Sequence, residues 1–251
     1  MYVRARVFSL PKAGNSPEDY EDAFWPDRSI CQTAPRFSFA IADGATETSF
    51  AGLWARMLVR AWCRGALSKR RMFASLPALQ RTWLQTVQTR PLPWYAEEKL
   101  RSGAFSSLLG FTVREVPEGG DRIWEALAVG DSCLVQVRDD GVITSFPLTK
   151  AEAFDSRPVL LSSNHEGNRH LPEHISHLSG HWEPGDVFYL MTDALACWFL
   201  RSVETDGDPC TIMQDLLSQH GDDSFSCLVG DLRGTRQMRN DDVTLLAVAL
   251  E

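Results

Sequence analysis

Three apolar runs of this chain drive straight into an aspartate, and a fourth is launched from a pair of them. The runs are FSFAIAD (Phe37 to Asp43), WEALAVGD (Trp124 to Asp131), DVFYLMTD (Asp186 to Asp193) and NDDVTLLAVAL (Asn240 to Leu250). Aspartate is disfavoured in strands and seldom buried without a partner, so a fold that accepts these runs has to answer the charge at each end. If neighbouring strands finish on the same side, the carboxylates converge on one rim and their mutual repulsion calls for a cation. Simpler readings exist for some of them. Asp43-Gly44 could be a hairpin turn, although Ala45-Thr46-Glu47 leads toward a helix instead of a second strand. Asp131 could merely end its strand, and Asp241 and Asp242 could form an exposed turn. Asp193 resists such a reading, because apolar residues flank it on both sides and an unpaired carboxylate there costs on the order of several kcal/mol.

The strand-like runs are Phe37 to Ala42, Phe105 to Val113, Ile123 to Val129, Asp186 to Met191 and Val243 to Leu250, rich in β-branched and aromatic residues. Several lack polar alternation, the pattern of strands covered on both faces, which points to a layered α/β arrangement. Phe50, Leu53, Trp54, Met57, Leu58, Ala61 and Trp62 recur at helical spacing, with Thr48 or Ser49 as the cap. A second helix carries Leu76, Leu79, Trp83, Leu84 and Val87 on one face and stops at Pro91 and Pro93. Asp139-Asp140-Gly141 predicts a hairpin turn. The stretch from Ser162 to Pro184, with its His, Gly, Asn and Pro residues, predicts a long surface loop. No linker or internal repeat interrupts residues 1–251, so a single domain is expected.

A net charge of −8 and a short basic stretch, Lys69-Arg70-Arg71, disfavour nucleic acid as a partner. The opening MYVRARVFSL alternates like a strand and lacks the apolar segment of a signal peptide. Val187 to Leu200 is too short and too polar to span a bilayer, so no membrane association is expected. Six cysteines without a CxxC pair read as reduced thiols of a cytoplasmic protein. Oxygen ligands without paired His or Cys favour Mg²⁺ or Mn²⁺, and two such ions suit the hydrolysis of phosphate esters.

The order of motifs adds more than any one of them. EDAF (Glu21 to Phe24), AIADGATE (Ala40 to Glu47), GAFSSLLGFTV (Gly103 to Val113), LAVGDS (Leu127 to Ser132), FYLMTDAL (Phe188 to Leu195) and NDDVTLLAV (Asn240 to Val248) resemble the successive motifs of the metal-dependent protein phosphatases, the PPM or type 2C family. The resemblance covers nearly the whole chain. It implies an α+β fold, a four-layer α-β-β-α sandwich of two antiparallel sheets flanked by helices, with a binuclear Mg²⁺/Mn²⁺ centre at one end. By the same resemblance Asp43 bridges the metals, the Gly44 carbonyl ligates one, and Asp193 and Asp241 complete the other. Glu21 and Asp22 hold metals directly or through waters, and Asp131 falls near a mobile flap and the place of a third ion.

Four positions depart from the family pattern. Ala194 stands where a glycine usually follows the third-motif aspartate, which is tolerable if φ stays negative. Cys133 replaces the arginine of GDSR, and Pro17 replaces the arginine that grips substrate phosphate. Lys12 is the nearest upstream cation and inherits that role, with Arg28 and Arg36 as the next candidates. Ala45 stands where some members place a general-acid histidine, leaving His165, His170, His174, His177 and His181 as other proton donors. The expected activity is hydrolysis of phosphoserine and phosphothreonine in a phosphoprotein, by a monomer that opposes a Ser/Thr kinase. The alternatives are a pseudophosphatase that only binds, and a metal-dependent phosphodiesterase or nuclease.

Overall fold

The chain is described as a computed structural model over residues 1–89, 102–116, 120–154, 157–218 and 223–251. Its strands, in chain order, are β1 (Tyr2–Leu10), β2 (Ala23–Trp25), β3 (Ile30–Thr33), β4 (Arg36–Ala42), β5 (Phe105–Ser106), β6 (Leu108–Glu115), β7 (Arg122–Val129), β8 (Cys133–Arg138), β9 (Gly141–Phe146), β10 (Leu161–Ser162), β11 (Ser176–His181), β12 (Val187–Met191) and β13 (Val243–Leu250). The helices are α1 (Ala51–Cys63), α2 (Met72–Gln88), α3 (Asp193–Glu204), α4 (Pro209–Ser218) and α5 (Asp223–Gly234). One sheet runs β3-β1-β13-β12-β8-β9, a second runs β11-β7-β6-β4-β2, and β5 pairs with β10 alone. All pairings are antiparallel.

Both faces of each large sheet are covered, which is why the strands read as apolar without strict alternation. Phe39, Ile41, Phe111 and Trp124 of one sheet meet Phe188, Leu190, Leu246 and Val248 of the other in the central core. Their chain neighbours point outward. Ala40, Ala42, Leu127 and Val129 pack under α1 and α2, while Val135, Tyr189, Met191, Leu245 and Ala247 pack under α3, α4 and α5. Three apolar interfaces between four layers make the α-β-β-α sandwich. The same antiparallel pairing corrects the layered α/β reading, since apolar runs alone do not encode strand direction.

Several local expectations change. The run from Phe105 to Val113 breaks into β5 and β6 at Ser107, whose main chain bonds to Asp43 instead. The cap of α1 is neither Thr48 nor Ser49 but Phe50 in the left-handed region (φ 62°), without a side-chain cap; Thr48 Oγ1 donates to the Ala45 carbonyl. Leu84 is 40 % exposed, so it lies off the buried stripe of α2, and Pro91 and Pro93 fall outside the described residues. The β8–β9 hairpin turns on Asp139 and Asp140, both with positive φ, with Gly141 already in the strand. The expected loop from Ser162 to Pro184 contains β11, an edge strand whose polar sequence SHLSGH hides its pairing with β7. Helices α3, α4 and α5 are elements that the apolar patterning does not predict. Among the described residues no helix is long and apolar enough to cross a membrane, and all six cysteines are free.

Candidate functional site

Antiparallel register decides which strand ends meet. In one sheet Ile41 pairs with Leu109 and Leu108 with Val129, so the end of β4, the start of β6 and the end of β7 share an edge. In the other, Leu10 pairs with Val243, and Met191 pairs with both Leu245 and Cys133. The ends of β1 and β12 therefore lie beside the starts of β13 and β8. Only Gly130-Asp131-Ser132 separates β7 from β8, so the two edges form one end of the sandwich. Gly130 makes this crossing at φ +95°, where a Cβ would meet Ser107 at 2.7 Å.

A cleft of about 680 Å³ opens at this end, with Lys12, Asp43, Gly44, Asp131, Arg157, Asp193, Arg239 and Asp241 on its walls. A larger cavity of about 860 Å³ lies at the opposite ends of the strands, around Glu115, Arg122 and Trp182. There Arg122 Nε donates to Glu115, whereas the acidic cleft gathers carboxylates in excess of its cations.

Behind the cleft the segment from Tyr20 to Asp22 is stitched to β13. Thr244 donates to Asp22 Oδ2 at 2.7 Å and pairs with the Tyr20 hydroxyl, and Glu21 N donates to Asp242 Oδ2 at 2.7 Å. Asp242 Oδ1 accepts from Lys12 N at 2.8 Å, which makes Asp242 a clamp for the main chain rather than a free ligand. Gly44 is packed so closely against the Glu21 carbonyl that a Cβ would come within 2.7 Å of it. Close approach, not an unusual φ, is what requires glycine after Asp43. Among the described residues no hydrogen bond stitches the Asp43 side chain in this way; its main chain is held by Ser107, which in turn pairs with Ser132.

The carboxylates at this rim are poorly matched. Asp22 is buried and, among the described residues, no hydrogen bond reaches its Oδ1; burial, with Asp242 and Asp241 adding to it, pushes its carboxyl up to about 7 against the opposing effect of the Thr244 and Thr192 hydroxyls. Burial raises Glu21 to about 7 as well. Asp43 rises well above the ordinary range, through burial first and then the charges of Asp22, Asp131 and Asp241. The main cation set against them is one the sequence did not reveal. Arg239 reaches Asp193 Oδ2 and, at 3.3 Å, Asp241 Oδ2.

As they stand, no three His, Cys, Asp or Glu side chains among the described residues are drawn in tightly enough to hold a metal ion. The guanidinium of Arg239 gives a physical reason, since it holds two of the aspartates. In donor type and charge the cluster nevertheless fits a hard divalent cation: oxygen ligands, excess negative charge, and an orphaned carboxylate oxygen on Asp22. Glu21 stands apart, lining a separate depression with Tyr20 and Arg56 that shares Thr46 with the cleft.

Comparison with known proteins turns this geometry into a family. A model of protein phosphatase 2C matches residues 18–231. The chain belongs to the protein phosphatase 2C family. Its fold is similar to that of the Mycobacterium tuberculosis serine/threonine phosphatase PstP/Ppp (15 % identity, 100 % of both chains, TM-score 0.62). It is also similar to the S. agalactiae serine/threonine phosphatase (14 %, 100 % of both chains, 0.58). The catalytic domain of PstP solved in complex with 2 manganese ions matches at 14 % identity over 100 % of this chain and 99 % of that one, with a TM-score of 0.59. No curated protein sequence matches the chain.

The departures of this phosphatase 2C chain now have locations. Ala194 sits in the first turn of α3 and is not among the positive-φ residues, so its methyl is accommodated. Cys133 points into the core under α3, with its thiol donating to the Asp131 carbonyl at 3.3 Å. Pro17 opens a short exposed 3₁₀ turn. Ala45 lines the cleft. None of His165, His170, His174, His177 or His181 does, and neither Arg28 nor Arg36 does; Arg157 and Arg239 are there instead.

Proposed function

We propose that residues 1–251 act as one phosphatase domain that hydrolyses phosphoserine and phosphothreonine monoesters in proteins, with two Mg²⁺ or Mn²⁺ ions at the acidic cleft and a third beside Asp131. The observation that carries this reading is the gathering of mutually repelling carboxylates at one rim, with a buried oxygen of Asp22 left unpaired. Asp43, the Gly44 carbonyl, Asp193 and Asp241 would hold the ions, with Glu21 and Asp22 acting directly or through water. Bound there, divalent ions supply charge neutralisation of the phosphoryl group and acidify the attacking water.

The chain's own part is to aim and to counterbalance. Lys12 enters the cleft with its main chain fixed by Asp242, which lets its ammonium grip phosphate oxygens as a point charge. Lys12→Met is expected to lose about ten- to hundredfold in kcat/KM with Mn²⁺ affinity unchanged, and Lys12→Arg to keep activity. A Lys12→Met enzyme within about twofold of wild type would pass the role to Arg157 or Arg239. A cytoplasmic site of action on the product of a Ser/Thr kinase, as a monomer, completes the proposal.

One observation favours the alternative of a binding module: Arg239 already occupies Asp193 and Asp241. Calorimetric titration with Mn²⁺ beside turnover of an aryl phosphate separates the two. Activity should vanish in chelator and return with Mn²⁺. Full turnover in excess EDTA overturns the metal account, and Mn²⁺ binding without turnover assigns a binding module.

A further inference from the structure

We propose that a second pocket, sharing a wall with the phosphatase cleft, binds an anionic side chain of the substrate close in sequence to the residue being dephosphorylated. The proposal rests on the phosphatase reading above and adds the class of substrate it selects. The pocket encloses about 540 Å³. Its floor is one face of α3, where Asp193, Ala194, Cys197, Trp198 and Arg201 follow helical spacing. The opposite wall is the end of α5, with Arg233, and the segment that leaves it for β13, with Arg236 and Arg239.

Four arginines thus line one pocket of a chain whose net charge is −8. Asp193 is the one carboxylate among the lining residues, and Arg239 already answers it. Among the described residues no ion pair to a carboxylate involves Arg201, Arg233 or Arg236. Arg201 contacts the Cys197 sulfur at 3.6 Å. Arg233 donates to the carbonyls of Pro11 and Asp241, and its Nε is buried without a partner. Guanidinium groups stay charged at any working pH; Arg239 is answered by Asp193 and Asp241 and Arg233 feels the charges of Asp242 and Asp241, whereas Arg201 and Arg236 bring positive charge that no carboxylate among the described residues pairs.

The backbone reinforces the point. Arg236 sits at φ +59°, closing α5 with its N–H on Arg233 and the next N–H on Leu232. Glycine is usual at that left-handed helix-end position; here the chain spends it on an arginine beside the pocket. Trp198, Phe154 and Met238 supply apolar surface around the charges, which lowers the local dielectric and strengthens pairing with an incoming anion. Since the pocket and the cleft share Asp193 and Arg239, an occupant of one lies next to an occupant of the other. Planar guanidinium forks match carboxylate and phosphoryl oxygens alike.

Three peptides carrying the same phosphothreonine test the proposal: one with neutral flanks, one with glutamates, and one with a non-hydrolysable phosphonate analogue of phosphoserine, placed within three residues on either side. The Mn²⁺-loaded wild type is expected to favour the anionic peptides by about tenfold or more in kcat/KM, mainly through KM. The readout is the preference ratio within each enzyme, so loss of general competence cancels. Arg201→Gln and Arg236→Asn, the latter suited to positive φ, should each cut the ratio several-fold, and together abolish it, while Arg201→Lys and Arg236→Lys keep most of it. A larger preference for phosphonate than for glutamate assigns a multiply phosphorylated substrate, and an equal one an acidic substrate. If wild type hydrolyses all three peptides equally, the pocket is not a substrate site and the phosphatase reading stands. If it hydrolyses none, that reading fails and fluorescence anisotropy with the same peptides decides the pocket. Binding of the anionic peptides about tenfold tighter than the neutral one, lost in the double variant, supports it; equal binding overturns it.

Discussion

Strand β12 is bracketed by two buried aspartates, and its two ends have opposite electrostatics. At one end Asp186 is met by Arg138 through two hydrogen bonds, at 2.6 and 2.9 Å, by Gln136 Nε2 at 2.7 Å and by Glu183 N at 2.9 Å. Burial alone would raise its carboxyl, but these donors outweigh burial and hold it below the ordinary range. At the other end Asp193 joins a rim where burial and like charges raise Asp22, Glu21 and Asp43. A carboxylate with its partners built in holds the sandwich together. A cluster whose partners are missing or provisional is a place for something to bind.

The largest expected effect comes from breaking the unmatched end. Asp43→Asn and Asp193→Asn should each lower phosphatase turnover by on the order of a thousandfold, equivalent to about 4 kcal/mol of transition-state stabilisation. Their metal-free forms should differ in melting. Asp43→Asn removes a carboxyl that burial and the charges of Asp22, Asp131 and Asp241 disfavour and that Arg239 only partly offsets, so it should melt higher than wild type, whereas Asp193→Asn removes one that Arg239 pairs directly and should not. Equal shifts in both would mean that Arg239 does not discriminate between them.

At the matched end, Asp186→Ala leaves the Glu183 N–H without its acceptor and takes one partner each from Arg138 and Gln136, which keep Glu183 Oε1 and the His181 carbonyl. Arg138 remains 27 % exposed, so water softens the loss, and about 2–3 kcal/mol of stability is expected to go. Denaturant melts should show this with or without Mn²⁺. A loss that Mn²⁺ restores would place Asp186 in the wrong category.

The smallest effect is in pH. Asp22 and Glu21 bind protons more tightly folded than unfolded, so in chelator the folded state loses stability as pH rises from about 4 through about 7. Asp186 runs the other way: its contribution is present above its unfolded pKa and is lost as pH falls through its lowered folded value. Thermal melts of the metal-free protein across this window should decline with rising pH, and Asp22→Asn should flatten the decline. An unchanged slope in Asp22→Asn would locate its source elsewhere.

Legibility differed in the same way. Asp43, Asp131, Asp193 and Asp241 were readable because each interrupts or borders an apolar run, and the structure brings all four to one cleft with Lys12. Asp186 begins the same run as Asp193, yet nothing in the sequence pairs it with Arg138 across β8 and β12. Arg239 stands two residues from Asp241, but a lone arginine in a polar turn carries no pattern. β11 was hidden by its polar composition, and α4 and α5 by their weak stripes.

By itself the sequence determined where most of the long apolar strands run, which of them are covered on both faces, and that several end in carboxylate. These are local properties: periodicity, propensity and the cost of burying charge act on residues adjacent in the chain. Tertiary structure decided which ends meet, that the sheets are antiparallel, which buried aspartate has its donors supplied, and that four arginines from α3 and the α5–β13 segment line one pocket beside the cleft. Those outcomes depend on register and on contacts between residues far apart in sequence, where distance through space, not along the chain, sets the Coulomb energy.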